Sequence, residues 1–172
     1  LGLAIVGAGN LAMMVAATQH SEWLLVASMA LLGSGGGLLN GETTKAIMGT
    51  VPRHRAGMAS GISTTARFSG ILLGFASLGA VLASAVRSAI QAGMLRAGIP
   101  LQAGFADDVV AGDLERAKAL YPHALGETLV SLAHDSYGQG FSNAFLAAAV
   151  LALLASLAVG VLMRGAVSGA PR

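Results

Sequence analysis

The sequence predicts an all-α integral membrane protein that crosses the bilayer four times. Of its 172 residues, 55% are hydrophobic and 10% are charged, whereas a soluble domain carries about 25% charged residues. The mean hydropathy is +0.72. Four segments approach the roughly 20 apolar residues that a helix needs to cross the hydrocarbon of a bilayer. They cover residues 1–18, 23–48, 57–86 and 141–163.

Each predicted span has a recognisable end. The first stops at a polar cluster that begins with Gln19, and the second starts at Trp23, where an aromatic side chain suits the membrane interface. The third is longer than a bilayer requires, so we expect it to tilt or protrude. The interior of the fourth, from Phe145 to Val161, is nearly all Ala, Leu and Val, and Arg164 closes the span.

A polar region, residues 87–139, separates the third and fourth spans and holds six of the eight acidic residues. We expect it to lie outside the membrane. Apolar residues recur at helical spacing in 107–120 and 123–134, which predicts short surface helices interrupted at Pro122. These helices are expected to lie either on the membrane surface or on the protein.

Basic residues in the short loops predict the orientation. Pro52, Arg53 and Arg55 form a turn between the second and third spans, on the same side as Arg164 and Arg172. Because basic loops stay in the cytoplasm, both chain ends are expected there and the acidic loop outside. The predicted location is the plasma (inner) membrane.

Two of the predicted helices carry glycines at intervals of four. Glycines at this spacing share one helix face and let the backbone of a neighbouring helix approach closely. We therefore predict packing faces on the second and third spans. The glycines are Gly33, Gly37, Gly41, Gly57, Gly61, Gly70 and Gly74.

Three charges fall within the predicted spans, where a charge usually faces the interior of a bundle and has a partner. At about 1.5 Å per residue, Glu42 lies roughly 12 Å and Arg67 roughly 15 Å from the membrane edge at the Pro52 turn. The two side chains are thus expected to meet as an ion pair, with Lys45 near Thr64 or extended toward the cytoplasm. The pair either fixes the helix register or lines a pathway for substrate or protons.

Several classes of function find no support. GAGNLA from Gly7 and GSGGG from Gly33 look like nucleotide-binding loops, but both stand in continuous apolar helix without the expected acidic residue about 20 positions on. The basic residues are scattered and form no face for nucleic acid. With no cysteine and no catalytic cluster, we expect neither an enzyme nor a metal or cofactor site.

The run GLLNGETTKAIMGTVPRHRAGMASGISTTARFSGILLGFASLGAVL, residues 37–82, resembles the late hairpin of a transporter family. It is similar to the fourteen-span drug:proton antiporters (EmrB/QacA-like) of the major facilitator superfamily. The matching features include Val51-Pro52, Arg55-Ala56-Gly57 and Thr65-Ala66-Arg67. The residues from Glu42 to Lys45 depart from the family pattern, which suggests a subgroup with a distinct substrate.

The resemblance implies that the chain, which begins with Leu, is a fragment from the C-terminal half of a transporter bundle. It also implies proton-driven export of small amphipathic compounds, together with the remaining spans of the full-length protein. The family's coupling residues lie mainly in the N-terminal half, outside the matching region. The alternative is a small four-span structural or assembly subunit of a membrane complex.

Overall fold

The computed structural model describes residues 1–19 and 21–168, and side chains as far as Leu162. Arg172 lies outside the described residues, as does the side chain of Arg164. The described chain is helical, with four helices long and apolar enough to cross a membrane. The predicted all-α membrane fold is confirmed.

Within the described residues, six α-helices follow one another. Four are long: α1 is Gly2–Gln19, α2 is Glu22–Thr50, α3 is Ala56–Ala97 and α6 is Gly126–Ser168. Two are short: α4 is Phe105–Val110 and α5 is Leu114–Ala119. Single 3-10 turns, Arg53–Arg55 and His123–Leu125, precede α3 and α6.

Proline and glycine explain where the long helices stop. Val51 is extended, at φ −105° and ψ 132°, because the following Pro52 disfavours helical geometry in the residue before it. At the other end of α3, Gly98 adopts φ 67° and donates its N–H to the carbonyl of Leu95. This left-handed position suits glycine and closes the helix.

The long helices form a row in which α2 packs on α1, α1 on α6 and α6 on α3. Glycine makes these contacts close. A β-carbon added to Gly7 would lie 2.7 Å from Leu153 of α6, and one added to Gly9 would lie 2.8 Å from Leu32 of α2. The glycines of GAGNLA therefore hold α1 between two neighbours, which agrees with reading that motif as membrane helix.

The described core lies largely in the polar region between the third and fourth predicted spans. Here the end of α3, the start of α6 and residues 98–125 fold together into a unit that we call the cap. Its buried side chains are Val86, Ile90, Met94, Phe105, Val109, Ala117, Tyr121, Leu129 and Ala133. The short helices thus lie on the protein, because α3 and α6 offer them an apolar surface.

The cap differs from the sequence expectation in two respects. The segment 107–120 is divided by Gly112, at φ 82°, into α4 and α5. The segment 123–134 does not form a separate surface helix, because from Gly126 it is the first part of α6. Leu129 and Ala133 are buried in the core. Their packing stabilises this segment as part of one continuous helix. The membrane boundaries themselves remain a prediction.

Candidate substrate cleft between α2 and α3

A cleft of about 830 Å³ separates α2 from α3. The two helices are joined by the Pro52 turn but scarcely contact each other, since they stand at opposite ends of the helix row. Side chains of both helices line the cleft: Gly36, Leu39, Asn40, Thr43, Ile47, Ala59, Ile62, Ser63, Ala66, Arg67 and Ile71.

Helical periodicity determines which side chains reach the cleft. On α2, Asn40, Thr43 and Ile47 follow at intervals of three and four, and on α3 Ser63 and Arg67 do the same. Residues at these intervals share one face of a helix. Each wall therefore combines an apolar surface with polar groups.

Arg67 is the charged group of the cleft, and its side chain is exposed. In the part of the chain that the structure describes, no carboxylate lies within ion-pair distance of its guanidinium. A charge at membrane depth is costly unless it has a partner. The site thus presents a guanidinium that is free to bind an acceptor group.

The expected ion pair between Glu42 and Arg67 is not formed among the described residues. Glu42 instead pairs with Lys45 of its own helix, at 3.5 Å between Oε1 and Nζ, with both side chains at least 75% exposed. The reason is the helical rotation of about 100° per residue, which turns Glu42 away from the face that carries Thr43. The Glu42–Lys45 pair is an exposed contact of the kind that contributes little to stability.

The predicted pathway residues are therefore separated. Of Glu42, Lys45, Thr64 and Arg67, the cleft lining includes Arg67 alone. Thr64 follows Ser63 and points to another side of α3 for the same rotational reason. A role of Glu42, Lys45 or Thr64 in transport remains a prediction.

The seven predicted packing glycines lie on open faces. A β-carbon added at Gly33, Gly37, Gly41, Gly57, Gly61, Gly70 or Gly74 meets no described atom within 4 Å. The close contacts in this chain use other glycines, such as Gly35 against Val6 and Gly140 against Val86. The predicted packing thus needs a partner from outside this chain, and it stays a prediction.

The Pro52 turn joins the two walls of the cleft at one end. The N–H of Arg55 donates to the carbonyl of Pro52 at 2.9 Å, and Arg53–Arg55 forms a single 3-10 turn. Arg53 and Arg55 are both exposed, as expected for basic residues at a membrane surface. Their cytoplasmic placement remains a prediction.

Sequence reasoning did not single out Asn40, Thr43 or Ser63 as cleft residues. The sequence does carry a pattern that indicates a shared helix face, because each of these residues stands three or four positions from another polar or small residue within an apolar span. Charge within a predicted span indicated Glu42 and Lys45 as well as Arg67, but Glu42 and Lys45 pair with each other outside the cleft lining.

Comparisons with known proteins agree with a transporter. No family profile and no solved structure matches the chain. It is 30% identical over 164 residues to the multidrug efflux pump LfrA of Mycolicibacterium smegmatis, covering 95% of this chain and 32% of that pump. It is 38% identical over 88 residues to the multidrug resistance protein Stp of Mycobacterium tuberculosis, covering 51% of this chain and 16% of that protein.

The chain thus spans about a third of the length of the first relative and less of the second. The similarity to LfrA includes nearly all of the cap and the helices, whereas the similarity to Stp includes about half of the chain. In sequence, this chain is similar to a multidrug efflux pump and to a multidrug resistance protein.

Proposed function

We propose that this chain is part of a secondary active transporter of the major facilitator superfamily, which exports small amphipathic compounds in exchange for protons. The resemblance of residues 37–82 to drug:proton antiporters and the similarity to LfrA and Stp support this proposal. The observation that carries it is the guanidinium of Arg67, without a described partner, in a cleft whose walls are otherwise mostly apolar.

In this proposal the cleft binds both halves of an amphipathic compound. Ile47, Ile62 and Ile71 contact its apolar part, and Arg67 with Asn40 binds a polar acceptor group. Binding sites for small molecules commonly combine an apolar lining with a few placed polar groups. The remaining spans of the complete protein close the open side of the cleft.

In this mechanism Arg67 binds an acceptor group and does not carry protons, because a guanidinium stays charged at physiological pH. Its role is to hold an acceptor on the substrate or on the rest of the protein. The proton is carried by groups outside the cleft, in the spans that accompany this chain.

The test is transport by the protein with all of its spans, reconstituted in vesicles with and without a proton gradient. Arg67→Ala is expected to lower the rate of dye transport about ten- to a hundredfold, since losing a charge-assisted hydrogen bond costs about 1.5–3 kcal/mol. Arg67→Lys should keep part of the activity. Arg116→Ala, which removes an exposed arginine of the cap, is the matched control.

Glu42→Gln tests whether the Glu42 carboxylate carries protons. Because Glu42 pairs with Lys45 outside the cleft, we expect transport within twofold of the unsubstituted protein. Abolished proton-coupled transport with normal folding would instead make Glu42 a proton carrier. Transport that ignores the proton gradient, or that survives Arg67→Ala unchanged, would contradict the proposal, and no transport at all would favour the assembly subunit.

A further inference from the structure

A polar pocket of about 550 Å³ lies between α3 and α6, beside the last turn of α1. Among the described residues, its lining carries one guanidinium and one carboxylate, those of Arg96 and Asp135. Arg96 follows Arg67 on α3 at a distance of roughly 43 Å, since each residue advances a helix by about 1.5 Å. The pocket is therefore separate from the α2–α3 cleft.

Neither charge of the pocket is neutralised by the described part of the chain. The Nε–H of Arg96 donates to the carbonyl of Ala92, one turn back on α3, at 3.2 Å. No described carboxylate lies within ion-pair distance of this guanidinium, and no described cation lies within that distance of Asp135. The pocket thus presents a positive and a negative group that do not pair with each other.

A buried serine also opens into this pocket. Ser136 is 3% exposed and lies in the lining, and its hydroxyl makes no hydrogen bond to the residues that the structure describes. No fully buried side-chain polar atom among those residues lacks a partner, so this hydroxyl is reached from the pocket. It provides a third polar contact for a ligand, because a buried hydroxyl without a partner costs free energy.

The two charges lie just outside the predicted membrane. The side chain of Arg96 runs back along α3 to Ala92. Ala92 and Asp135 each lie roughly 9 Å beyond the predicted span ends at residues 86 and 141. The headgroups of a bilayer extend about 5–8 Å beyond the hydrocarbon on each side, and helix tilt brings residues closer to the bilayer centre. The charges thus stand at the level of phospholipid headgroups.

A second concavity leads from the pocket into the predicted membrane. It measures about 450 Å³, lies between α3 and α6, and shares Ala89 and Gln139 with the pocket. Its lining includes Ser84 and Asn143, which fall within the third and fourth predicted spans. Hydroxyl and amide groups can donate to the ester carbonyls of a phospholipid. From water inward, this surface changes from charged to hydrogen-bonding groups in the same order as a phospholipid.

We propose that this surface binds one phospholipid of the leaflet beside the cap, with a headgroup of phosphate and primary ammonium, as in phosphatidylethanolamine. The phosphate binds to Arg96 and Ser136. The ammonium donates to Asp135, because an ionised carboxylate only accepts hydrogen bonds. Asp135 repels a headgroup that is only anionic. The bound lipid joins α3 to α6 at the base of the cap and holds the cap on the membrane surface.

The test uses photoreactive phospholipids with a diazirine close to the ester of one acyl chain. Each is added at low content to phosphatidylcholine nanodiscs that hold the complete protein, and labelled peptides are identified by mass spectrometry. We expect the phosphatidylethanolamine probe to label residues 81–92 and 139–143 several times more than phosphatidylcholine and phosphatidylglycerol probes. Equal labelling by the three probes, or labelling spread over all lipid-facing helices, would overturn the proposal and indicate ordinary boundary lipid.

A soluble compound with the same headgroup distinguishes a lipid from a free ligand. Glycerophosphoethanolamine carries the phosphate and the ammonium but no acyl chains, so it leaves the second concavity empty. At millimolar concentration it should not reduce labelling by the phosphatidylethanolamine probe. Loss of labelling under these conditions would show that the headgroup alone fills the pocket, which contradicts the assignment to a lipid.

Substitutions test the two charges. Asp135→Asn and Arg96→Gln should each lower labelling by the phosphatidylethanolamine probe about fivefold, the upper range for one exposed ion pair. Arg96→Lys should keep part of the labelling. Glu127→Gln and Arg116→Gln, which remove exposed cap charges outside the pocket, are the matched controls. Unchanged labelling in Asp135→Asn and Arg96→Gln, with normal amide exchange in the core of the cap, would overturn the site.

The lipid site and the proposed transport are tested separately, because labelling requires no transport. Arg67→Ala should be labelled like the unsubstituted protein even where its transport is lost. Loss of labelling in Arg67→Ala would contradict a lipid site that is independent of the cleft. Failure of the transport test would leave the labelling result as it stands.

Discussion

At the scale of single residues, the two tyrosines of the chain hold the cap together through their hydroxyl groups. Tyr121 accepts a hydrogen bond from the N–H of Gln102 at 2.8 Å and donates to the carbonyl of Pro100 at 3.0 Å. Its ring also meets Phe105 edge-on, with centroids 5.2 Å apart. These contacts of Tyr121 hold the loop after α3 against the residues that follow α5, about 20 positions further along the chain.

Tyr137 plays the corresponding part on α6. Its hydroxyl donates to the carbonyls of Val109 and Val110, the last residues of α4. The last carbonyls of a helix have no intrahelical donor. The N–H of Gly112 donates to the carbonyl of Val109 at 2.8 Å, and Tyr137 adds a donor from α6. Nothing in the local sequence marks either tyrosine, because the partner carbonyls lie about 20 to 28 residues away.

Tyr137→Phe should loosen α4 without unfolding the cap. The loss of one net hydrogen bond costs about 1 kcal/mol, so amides of residues 105–112 should exchange with deuterium about fivefold faster. Hydrogen exchange with mass spectrometry measures this. Ser131→Ala, which removes an exposed hydroxyl bonded to its own helix, should have no effect; equal exchange in both variants would mean that Tyr137 does not hold α4.

At the scale of elements, glycines with and without neighbours distinguish the faces of α2. A β-carbon on Gly35 would lie 2.9 Å from the backbone nitrogen of Val6 in α1, whereas one on Gly37 would meet nothing within 4 Å. These two positions differ by two residues, about 200° around the helix. The first face is packed within this chain and the second is open.

Gly35→Val should therefore destabilise the α1–α2 contact by about 1–3 kcal/mol, the usual cost of overpacking. The readout is a lower midpoint of thermal unfolding in detergent. Gly37→Val should leave the unfolding midpoint of this four-helix chain unchanged, because a side chain at Gly37 meets no described atom. In the complete protein it should reduce transport if the open face packs against another span, and normal transport would contradict that packing.

At the scale of the whole molecule, the cap and the Pro52 turn lie at opposite ends of the long helices. α3 runs from the turn to the cap, and α6 returns from the cap. If basic loops face the cytoplasm, the cap is exterior and the cleft opens beside a cytoplasmic turn.

Single cysteines test this orientation, because the chain has none of its own. His54→Cys and Gln102→Cys both replace exposed residues. An impermeant maleimide should label Gln102→Cys in intact cells, and His54→Cys only after permeabilisation. The opposite pattern would place the basic turn outside and invert the proposed topology.

The sequence by itself determined the helical membrane class, the four long helices and the turn at Pro52. These follow from local properties: a run of apolar residues long enough for a bilayer, and a proline that ends the helix before it. It also predicted that Arg67 is a charge within a span, and the structure places this residue in the cleft.

Only the tertiary structure decided which faces meet. Depth along the helix placed Glu42 opposite Arg67, but rotation about the helix axis placed Thr43 and Asn40 there instead. The same is true of the glycines: spacing of four predicted the packing faces, while the described contacts use Gly7, Gly9, Gly35 and Gly140. Spacing defines a face of a helix, but the direction in which that face points depends on neighbours distant in the chain.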